Sequence, residues 1–290
     1  MNDKIATECI GKYYDVMNSG TAFGNLLKEN VIMEPKYSPA EVFASYDEFF
    51  SPGKKLEYVE VSCLDQNTVS DFGQFYTDIY MAAFPDDNER EGFDNFLKYL
   101  RLAEDATAYR YHIILAKDDT GRVIAGGVFD YFKKSNTGVI EFLAVRSDLQ
   151  SGGIGTMLYK HISTVLSEDA YRMSRKPLDY ICCEIDSPEY SRAEIKKYLY
   201  FWDKNNFRHL NFNYVQPALS AGQEPVSGLW FNISPQHSVS ARIPSRLVAD
   251  VLYDYIKYAM GVENPDACRE YAGMKEALLS SDSVTTSRII

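Results

Sequence analysis

One segment decides the fold, because it runs from an apolar strand through a glycine-rich turn into a helix. Residues 139–156 read VIEFLAVRSDLQSGGIGT. Beyond it, a helix over about 153–167 is predicted by the apolar spacing of Met157, Leu158, Ile162, Val165 and Leu166. Glycines at such a junction allow backbone N–H groups to converge on an anion, and the helix dipole adds about half a positive charge. The segment therefore predicts a pyrophosphate-binding turn that needs no lysine.

The glycine pattern separates this turn from two common nucleotide-binding motifs. A P-loop requires Gly-Lys-Ser/Thr, which occurs nowhere in the chain, and the Rossmann fingerprint GxGxxG does not match the turn. Gln150, Gly153 and Gly155 instead fit Gln/Arg-x-x-Gly-x-Gly/Ala directly after a strand that ends in Leu-Ala-Val. This pattern resembles the acetyl-CoA-binding motif of the GNAT superfamily of N-acetyltransferases.

The order of elements around the motif fits the same superfamily. The patterns predict a strand, two helices, three antiparallel strands, the motif helix, a strand, a helix and two strands over residues 55–235. The resemblance implies an α/β fold with a mixed, mostly antiparallel sheet of about seven strands. Helices should flank this sheet, which should splay between its fourth and fifth strands. We expect residues 1–54 and 236–290 to form N- and C-terminal helical extensions, with the last ten residues frayed.

The resemblance also implies where acetyl-CoA binds. Backbone groups of Leu143 and Val145 would hold the pantetheine arm and polarise the thioester carbonyl, and the loop 150–156 would hold the pyrophosphate. The residues assigned to the co-substrate are Leu143, Ala144, Val145, Gln150, Ser151, Gly152, Gly153, Ile154, Gly155 and Thr156. The implied reaction is direct acetyl transfer to a primary amine in a ternary complex. Its catalysis would come mainly from positioning and from deprotonation of the amine.

A second signature of the superfamily, Leu-Tyr-x-Lys-x-Gly-Phe, is present only in part. Residues 201–207 read FWDKNNF, so the lysine and the phenylalanine match. Asn206 takes the glycine position, which is tolerable because Asn can adopt the left-handed conformation at a helix C-terminus. Trp202 replaces the tyrosine that many members use as general acid, and an indole N–H cannot protonate a thiolate. Tyr198, one helical turn earlier, is the substitute candidate, and the alternative is that it only packs the helix.

Glu141 is the candidate general base. It lies four residues before Val145 on the motif strand, so alternation places both side chains on the same side, where the superfamily holds the acetyl group. A carboxylate there can take a proton from a substrate ammonium, directly or through water. An ordinary exposed strand glutamate explains the residue equally well.

Other polar residues offer alternatives. Glu184 and Asp186 end the next strand, at the edge where α/β sites form, and can bind a cationic substrate, act as base or remain solvated. The pair Cys182-Cys183 suggests a two-step transfer through an acyl-cysteine intermediate. Strand alternation, however, places one of the two in the core, where cysteines are common. Tyr214 and Gln216 share a strand face and can line a substrate pocket or belong to a polar edge strand.

Composition narrows the classes of partner. The 290 residues carry 41 acidic and 30 basic side chains, and the net charge of −11 disfavours nucleic acid and anionic lipid. No apolar run approaches the ~20 residues of a membrane-spanning helix, and the first residues lack a signal-peptide pattern. Five scattered cysteines without a CxxC pair predict neither a disulfide framework nor a structural zinc site. No metal is expected, and the reducing cytoplasm is the expected location.

The sequence does not identify the acceptor amine. The charge is compatible with a small-molecule or peptide amine, such as a polyamine, an aminoglycoside or a lysine side chain. Two other functions also fit: a GNAT-like protein that senses acyl-CoA without turnover, and an interaction module that uses the flanking helical segments. Those segments are expected to pack on the core or on a second copy of the chain. The second arrangement would form a homodimer.

Overall fold

The computed structural model describes residues 55–189, 195–237 and 241–290. The predicted N-terminal helical extension, residues 1–54, lies outside the described residues. The described part forms a mixed α/β structure in which helices cover both faces of a nine-stranded sheet.

The sheet is antiparallel at every neighbouring pair except one. Its strands are Glu57–Glu60 (β1), Tyr109–Lys117 (β2), Val123–Phe132 (β3), Thr137–Val145 (β4), Tyr180–Asp186 (β5), Arg208–Leu210 (β6), Leu229–Pro235 (β9), Arg242–Pro244 (β10) and Ser283–Arg288 (β11). Two short strands, Val215–Gln216 (β7) and Val226–Ser227 (β8), pair separately. The nine strands lie in the order β1-β2-β3-β4-β5-β9-β6-β11-β10, and only β4 and β5 are parallel.

Two sets of helices cover the two faces. The helices are Gln66–Phe75 (α1), Met81–Ala83 (α2), Phe93–Ala103 (α3), Ile154–Ser174 (α4), Ile195–Lys204 (α5), Ser245–Tyr258 (α6) and Arg269–Leu279 (α7), and a π-helical turn, Tyr76–Tyr80, joins α1 to α2. Side chains of α1, α3, α6 and α7 pack on one face, which we call the α6 face. Side chains of α4 and α5 pack on the other, the α4 face. Within the described residues, no helix combines the length and apolar character needed to cross a membrane.

The close packing of α4 on the sheet depends on two strand glycines. A Cβ at Gly127 would lie 2.7 Å from a methyl carbon of Ile162, and one at Gly138 would lie 2.5 Å from a methyl carbon of Leu166. Both distances are far below van der Waals contact, so a side chain at either position would force Ile162 or Leu166, or the helix that carries them, to shift. The two glycines therefore fix how deeply α4 sits, and with it the position of the glycine-rich turn at its N-terminus.

The predicted splay between the fourth and fifth strands is confirmed. The parallel pairing of β4 with β5 runs only from Thr137 opposite Tyr180 to Ile140 opposite Cys183. Beyond that point β5 continues to pair with β9 as far as Asp186, whereas the rest of β4 pairs with β3 alone. The edge of β4 after Ile140 is thus left without a strand beside it.

The sheet is larger than the seven strands predicted, because the C-terminal segment adds two. Residues near the end of the chain, predicted to be frayed, form β11, which pairs with β6 on one side and with β10 on the other. The sequence of β11 is SVTTSR, and its only buried side chain is Val284. A strand with so little apolar alternation gives a weak sequence signal, although its β-branched residues suit an extended backbone.

His112 ties the α4 face together through two carboxylates. Its Nδ1 lies 2.6 Å from Glu60 Oε1 on β1, and its Nε2 lies 2.8 Å from Asp169 Oδ2 on α4. The hydrogen bonds to Asp169 and Glu60 outweigh the effect of burial and raise the pKa of His112 to about 9. The imidazole is therefore charged at neutral pH and links β1, β2 and α4.

We expect the charged His112, with its two carboxylate partners, to make the stability of the fold depend on pH. Because the folded pKa of His112 is raised, its contribution is complete below the unfolded value of about 6.5 and is lost as the pH rises through about 9. The free energy of unfolding of the parent should exceed that of Asp169→Asn by about 2–3 kcal/mol at pH 6 and by much less at pH 9.5. Urea unfolding at several pH values measures this difference, and an NMR titration of His112 should show its pKa fall in the variant. A difference independent of pH would contradict a charged His112.

Candidate active site

A cavity of about 470 Å³ lies where β4 and β5 separate. Its wall includes residues 140–145 of β4, the turn at the N-terminus of α4, the end of β5 and residues 197–202 of α5. Residues that lie far apart in the sequence are therefore brought together by the unpaired edge of β4. This edge gives a bound molecule access to backbone groups that a neighbouring strand would otherwise occupy.

The glycine-rich turn has the geometry of an anion site. Gly153 has φ of 88° and Ser151 has φ of 64°, so the backbone turns sharply before α4 begins at Ile154. The first N–H groups of a helix have no intrahelical acceptor, and α4 continues for 21 residues behind them. The structure thus places the N-terminus of a long helix, with its positive dipole end, at the cavity wall.

Eight of the ten residues assigned to the co-substrate line the cavity. They are Leu143, Ala144, Val145, Gln150, Ser151, Gly153, Gly155 and Thr156. Gly152 and Ile154 are not among the lining residues, and the Ile154 side chain is buried in the core of the α4 face. Any contact of Ile154 with an anion would have to use its backbone.

Two lysines of α5, not predicted from the sequence, also line the cavity. Lys197 Nζ lies 2.6 Å from Gln150 Oε1, and Gln150 Nε2 donates to the Val145 carbonyl oxygen at 3.1 Å. Lys204 is the second lysine of the wall. Lys197 has no sequence signal that links it to the turn, because it is 47 residues from Gln150. Lys204 is the lysine that matched the second signature. Both lysines add positive charge beside the anion site.

A β-bulge at Glu141 changes the orientation predicted for this residue. Ile140 pairs with Phe129 and Phe142 pairs with Val128, so Glu141 is an extra residue in β4. The expectation that Glu141 and Val145 share a side was wrong, because the bulge reverses the alternation between them. Val145 packs on the α4 face, whereas the Glu141 carboxyl lies toward the α6 face. Glu141 still lines the cavity.

The bulge also accounts for the splay. Ile140 is the last residue of β4 that pairs with β5, and the bulge begins at the next residue. A bulged strand bends and twists more strongly than a regular one. The strand therefore turns away from β5 at the residue that carries the carboxylate.

Glu141 belongs to a buried carboxyl pair. Both carboxyl oxygens of Asp130, a residue with no exposed surface, and Oε1 of Glu141 have no hydrogen-bond donor among the described residues. Burial raises the pKa of Asp130 to about 7, and burial together with the charge of Asp130 raises the pKa of Glu141. A proton held between the two carboxyls supplies the missing donor. The pair can therefore accept or release a proton near neutral pH.

Glu184 is held beside this pair by two tyrosines. Tyr214 donates a hydrogen bond to Glu184 Oε1, and Tyr255 donates another to the same carboxyl group. Burial outweighs these bonds and raises the pKa of Glu184 to about 8, with a further contribution from the charge of Glu89. Of the two residues predicted to share a pocket face, Gln216 lines the cavity and Tyr214 instead orients Glu184.

The aromatic residues of α5 have different environments. Tyr198 is 42% exposed and lines the cavity, as the substitute general acid should. Trp202 is buried, and its ring packs edge-on against Tyr159 and Phe207. Asn206 adopts φ of 62°, as expected for its position at the end of the helix. Trp202 is thus part of the core as well as of the cavity wall.

The environment of Cys182 and Cys183 does not favour a reactive thiol. Both Cys182 and Cys183 are 1% exposed, not only one of them, because the two faces of β5 are both covered. Burial raises the pKa of each thiol, which disfavours the thiolate that an acyl-cysteine scheme needs. In the part of the chain that the structure describes, no group of three His, Cys, Asp or Glu side chains is placed to hold a metal ion.

Comparison with known proteins agrees with this geometry. Residues 73–175 match the model of the acetyltransferase (GNAT) family. The structure of a GNAT-family protein from Bacteroides thetaiotaomicron covers 71% of this chain and 99% of its own, with 14% identity and a TM-score of 0.52, and it supports the same fold. No curated protein sequence matches the chain significantly.

Two further solved structures resemble the chain less strongly. An acetyltransferase of the GNAT family from Staphylococcus aureus covers 63% of this chain and 99% of its own, with 10% identity and a TM-score of 0.43. A structure from Salmonella typhimurium, solved with acetyl-CoA, covers 65% of this chain and 96% of its own, with 14% identity and a TM-score of 0.40.

Proposed function

We propose that the chain transfers an acetyl group from acetyl-CoA to a primary amine, because residues 73–175 match the model of the acetyltransferase (GNAT) family. The observation that carries the proposal is the glycine-rich turn at the N-terminus of α4, which lines the cavity beside the free edge of β4. The two features together offer a site for a phosphate-bearing thioester and space for its acyl end.

The residues present fit acetyl-CoA. Backbone N–H groups around Gly153 and Gly155 would hold the pyrophosphate, with Lys197 as a nearby countercharge. Leu143 and Val145 would offer backbone groups to the pantetheine arm along the free edge of β4. When bound, acetyl-CoA supplies a thioester whose carbonyl carbon accepts the lone pair of the amine, and its C–S bond then breaks.

Glu141 and Tyr198 divide the proton transfers. Glu141 takes the proton that the substrate ammonium must lose before its nitrogen can attack, directly or through water. Tyr198 returns a proton to the departing sulfur. Both transfers take place in one ternary complex, without an acyl-enzyme, and the buried thiols of β5 are consistent with this order.

We expect CoA to stabilise the fold and Gly153→Glu to abolish the effect. A ligand at 100 times its Kd adds about 2.7 kcal/mol, so millimolar CoA should raise the Tm. The variant places a side chain and a negative charge in the anion site. Gly121→Glu is the matched control, because Gly121 has φ of 79° and open space around it, on a turn that does not line the cavity. A Tm that does not move with CoA in the parent would contradict the site.

We expect Glu141→Gln to cut kcat/KM by about two orders of magnitude at pH 7, with CoA binding nearly unchanged. The charge of an alkyl ammonium is lost only near pH 10.4, so higher pH should restore part of the activity. Because the pKa of Glu141 is raised, the kcat/KM of the parent should itself increase with pH as the carboxylate forms. Exposed Glu57→Gln serves as control. Parental activity across the pH range would exclude Glu141 as the base.

We expect Tyr198→Phe to lower kcat by about 10²–10⁴-fold with little effect on CoA binding. The phenyl ring keeps the shape of the cavity wall but cannot donate a proton. Tyr171→Phe, an exposed position on α4, controls for the loss of a surface hydroxyl. Steady-state kinetics and the CoA-induced Tm shift separate the two roles. If Tyr198→Phe keeps the parental kcat, the thiolate takes its proton from a group other than Tyr198. If the parent protein binds CoA but turns over no amine, the result would indicate a sensor.

A further inference from the structure

Asp130 is an acid that the packing of β3 does not require. It has no exposed surface, and its neighbours two residues away on the same face, Val128 and Phe132, belong to the apolar core of the α6 face. Neither of its carboxyl oxygens has a hydrogen-bond donor among the described residues, and no lysine or arginine in that part of the chain forms an ion pair with it. A valine would fill the position without the cost of burying a carboxyl group. Contacts that stabilise the fold therefore do not explain the acid.

The backbone places Glu141 beside Asp130. Asp130 lies opposite Val139 in the antiparallel register, and Glu141 follows Val139 by two residues on the same face. The two carboxyl groups lie within hydrogen-bond reach of each other. Oε1 of Glu141 is buried and lacks a donor among the described residues, whereas the residue as a whole is half-buried and lines the cavity. Glu141 thus connects the buried Asp130 to the site of the proposed chemistry.

From this arrangement, and resting on the proposed function, we propose that Asp130 is a positioning residue that orients Glu141 and makes it a stronger base. A proton shared between the two carboxyl groups holds one oxygen of Glu141 toward Asp130 and leaves the other for the substrate. The negative charge of Asp130 makes Glu141 bind a proton more tightly than a lone carboxylate would. A stronger base is better matched to an alkyl ammonium, whose pKa of about 10.4 is far above that of an ordinary glutamate.

The proton transfers balance over one turnover. The shared proton leaves the pair for solvent when the substrate ammonium replaces it as the countercharge of the carboxylates. An N–H bond of the ammonium then breaks and an O–H bond forms on Glu141. The nitrogen forms the amide bond with the acetyl carbon, the C–S bond breaks, and the sulfur of CoA receives its proton from Tyr198. The pair is thereby returned to its singly protonated state.

Among the charges around Glu141, that of Asp130 acts most strongly. Burial and then the charge of Asp130 raise the pKa of Glu141, and the charges of Glu91 and Glu184 contribute less. Burial raises the pKa of Asp130 itself to about 7, against a smaller opposite effect of the charged His112. Five tyrosines, whose pKa values burial raises, also face the pair and stay neutral near pH 7: Tyr80, Tyr99, Tyr109, Tyr111 and Tyr255. The substitution of Asp130 should therefore change the protonation of Glu141 more than any other single change nearby.

The pH profile of kcat/KM tests the proposal with Asp130→Asn. CoA release from acetyl-CoA would be followed between about pH 6 and 10, with n-butylamine, benzylamine and lysine as acceptors. In the variant, the rise of kcat/KM should move to lower pH by about one unit or more, because Glu141 loses the adjacent negative charge. The ionisation of each amine is the same for every variant, so a shift reports on the protein. A rise at the parental pH would overturn the proposal.

Asp254→Asn is the matched control. Asp254 lies on α6 and is 7% exposed, burial raises its pKa to about 6, and it does not line the cavity. Its variant should keep the parental pH profile, because the buried acid that it removes does not face Glu141. The CoA-induced Tm shift reports whether each variant is folded.

NMR of the carboxyl carbons gives an independent measurement on the parent protein, without a substrate. If the two residues share a proton, the signals of Asp130 and Glu141 should each change in the same two pH steps. In Asp130→Asn, the Glu141 signal should change in one step, at lower pH than the upper step of the parent. Separate single steps in the parent would overturn the proposal even if the variant failed to fold. Absence of CoA release with all three amines would instead contradict the proposed acetyl transfer, so the two failures are distinguishable.

Discussion

The bulge at Glu141 is the constraint on which the rest of the site depends. One extra residue in β4 ends the pairing with β5, bends the strand and turns a carboxylate to the α6 face. The strand edge exposed in this way runs beside the glycine-rich turn, whose position is fixed by the close packing of α4 on Gly127 and Gly138. The cavity, the position of the glycine-rich turn and the buried carboxyl of Glu141 therefore depend on the same backbone geometry.

The buried carboxyl groups of the site lower the stability of the fold. Raised pKa values for Asp130, Glu141 and Glu184 mean that their charged forms are less favourable in the fold than in the unfolded chain. The aromatic core of the α6 face surrounds them and offsets this penalty. Functional sites commonly keep groups that lower stability, because these groups are needed to interact with a ligand.

The sequence predicted the elements whose patterns are local. The apolar run of β4, the glycines after it and the helical spacing of α4 each identify one piece, and the motif order identified the splayed sheet. Other features depend on contacts between distant residues. The bulge at Glu141 leaves no local mark, because its existence rests on the register between two strands, so the orientation of Glu141 was predicted wrongly. For the same reason, the approach of Lys197 to Gln150 and the tyrosines that hold Glu184 could not be predicted, and β11 has too few apolar residues to be recognised.

The two halves of the site lie on opposite faces of the sheet. Residues that would contact the phosphates lie with α4 and α5, whereas the carboxylates lie with the loop before α3 and with the strands beneath α6. Under the proposed function, substitutions on the α6 face would alter the choice of acceptor while the glycine-rich turn on the α4 face keeps its geometry. Among the described residues, those of β4 line both halves of the cavity.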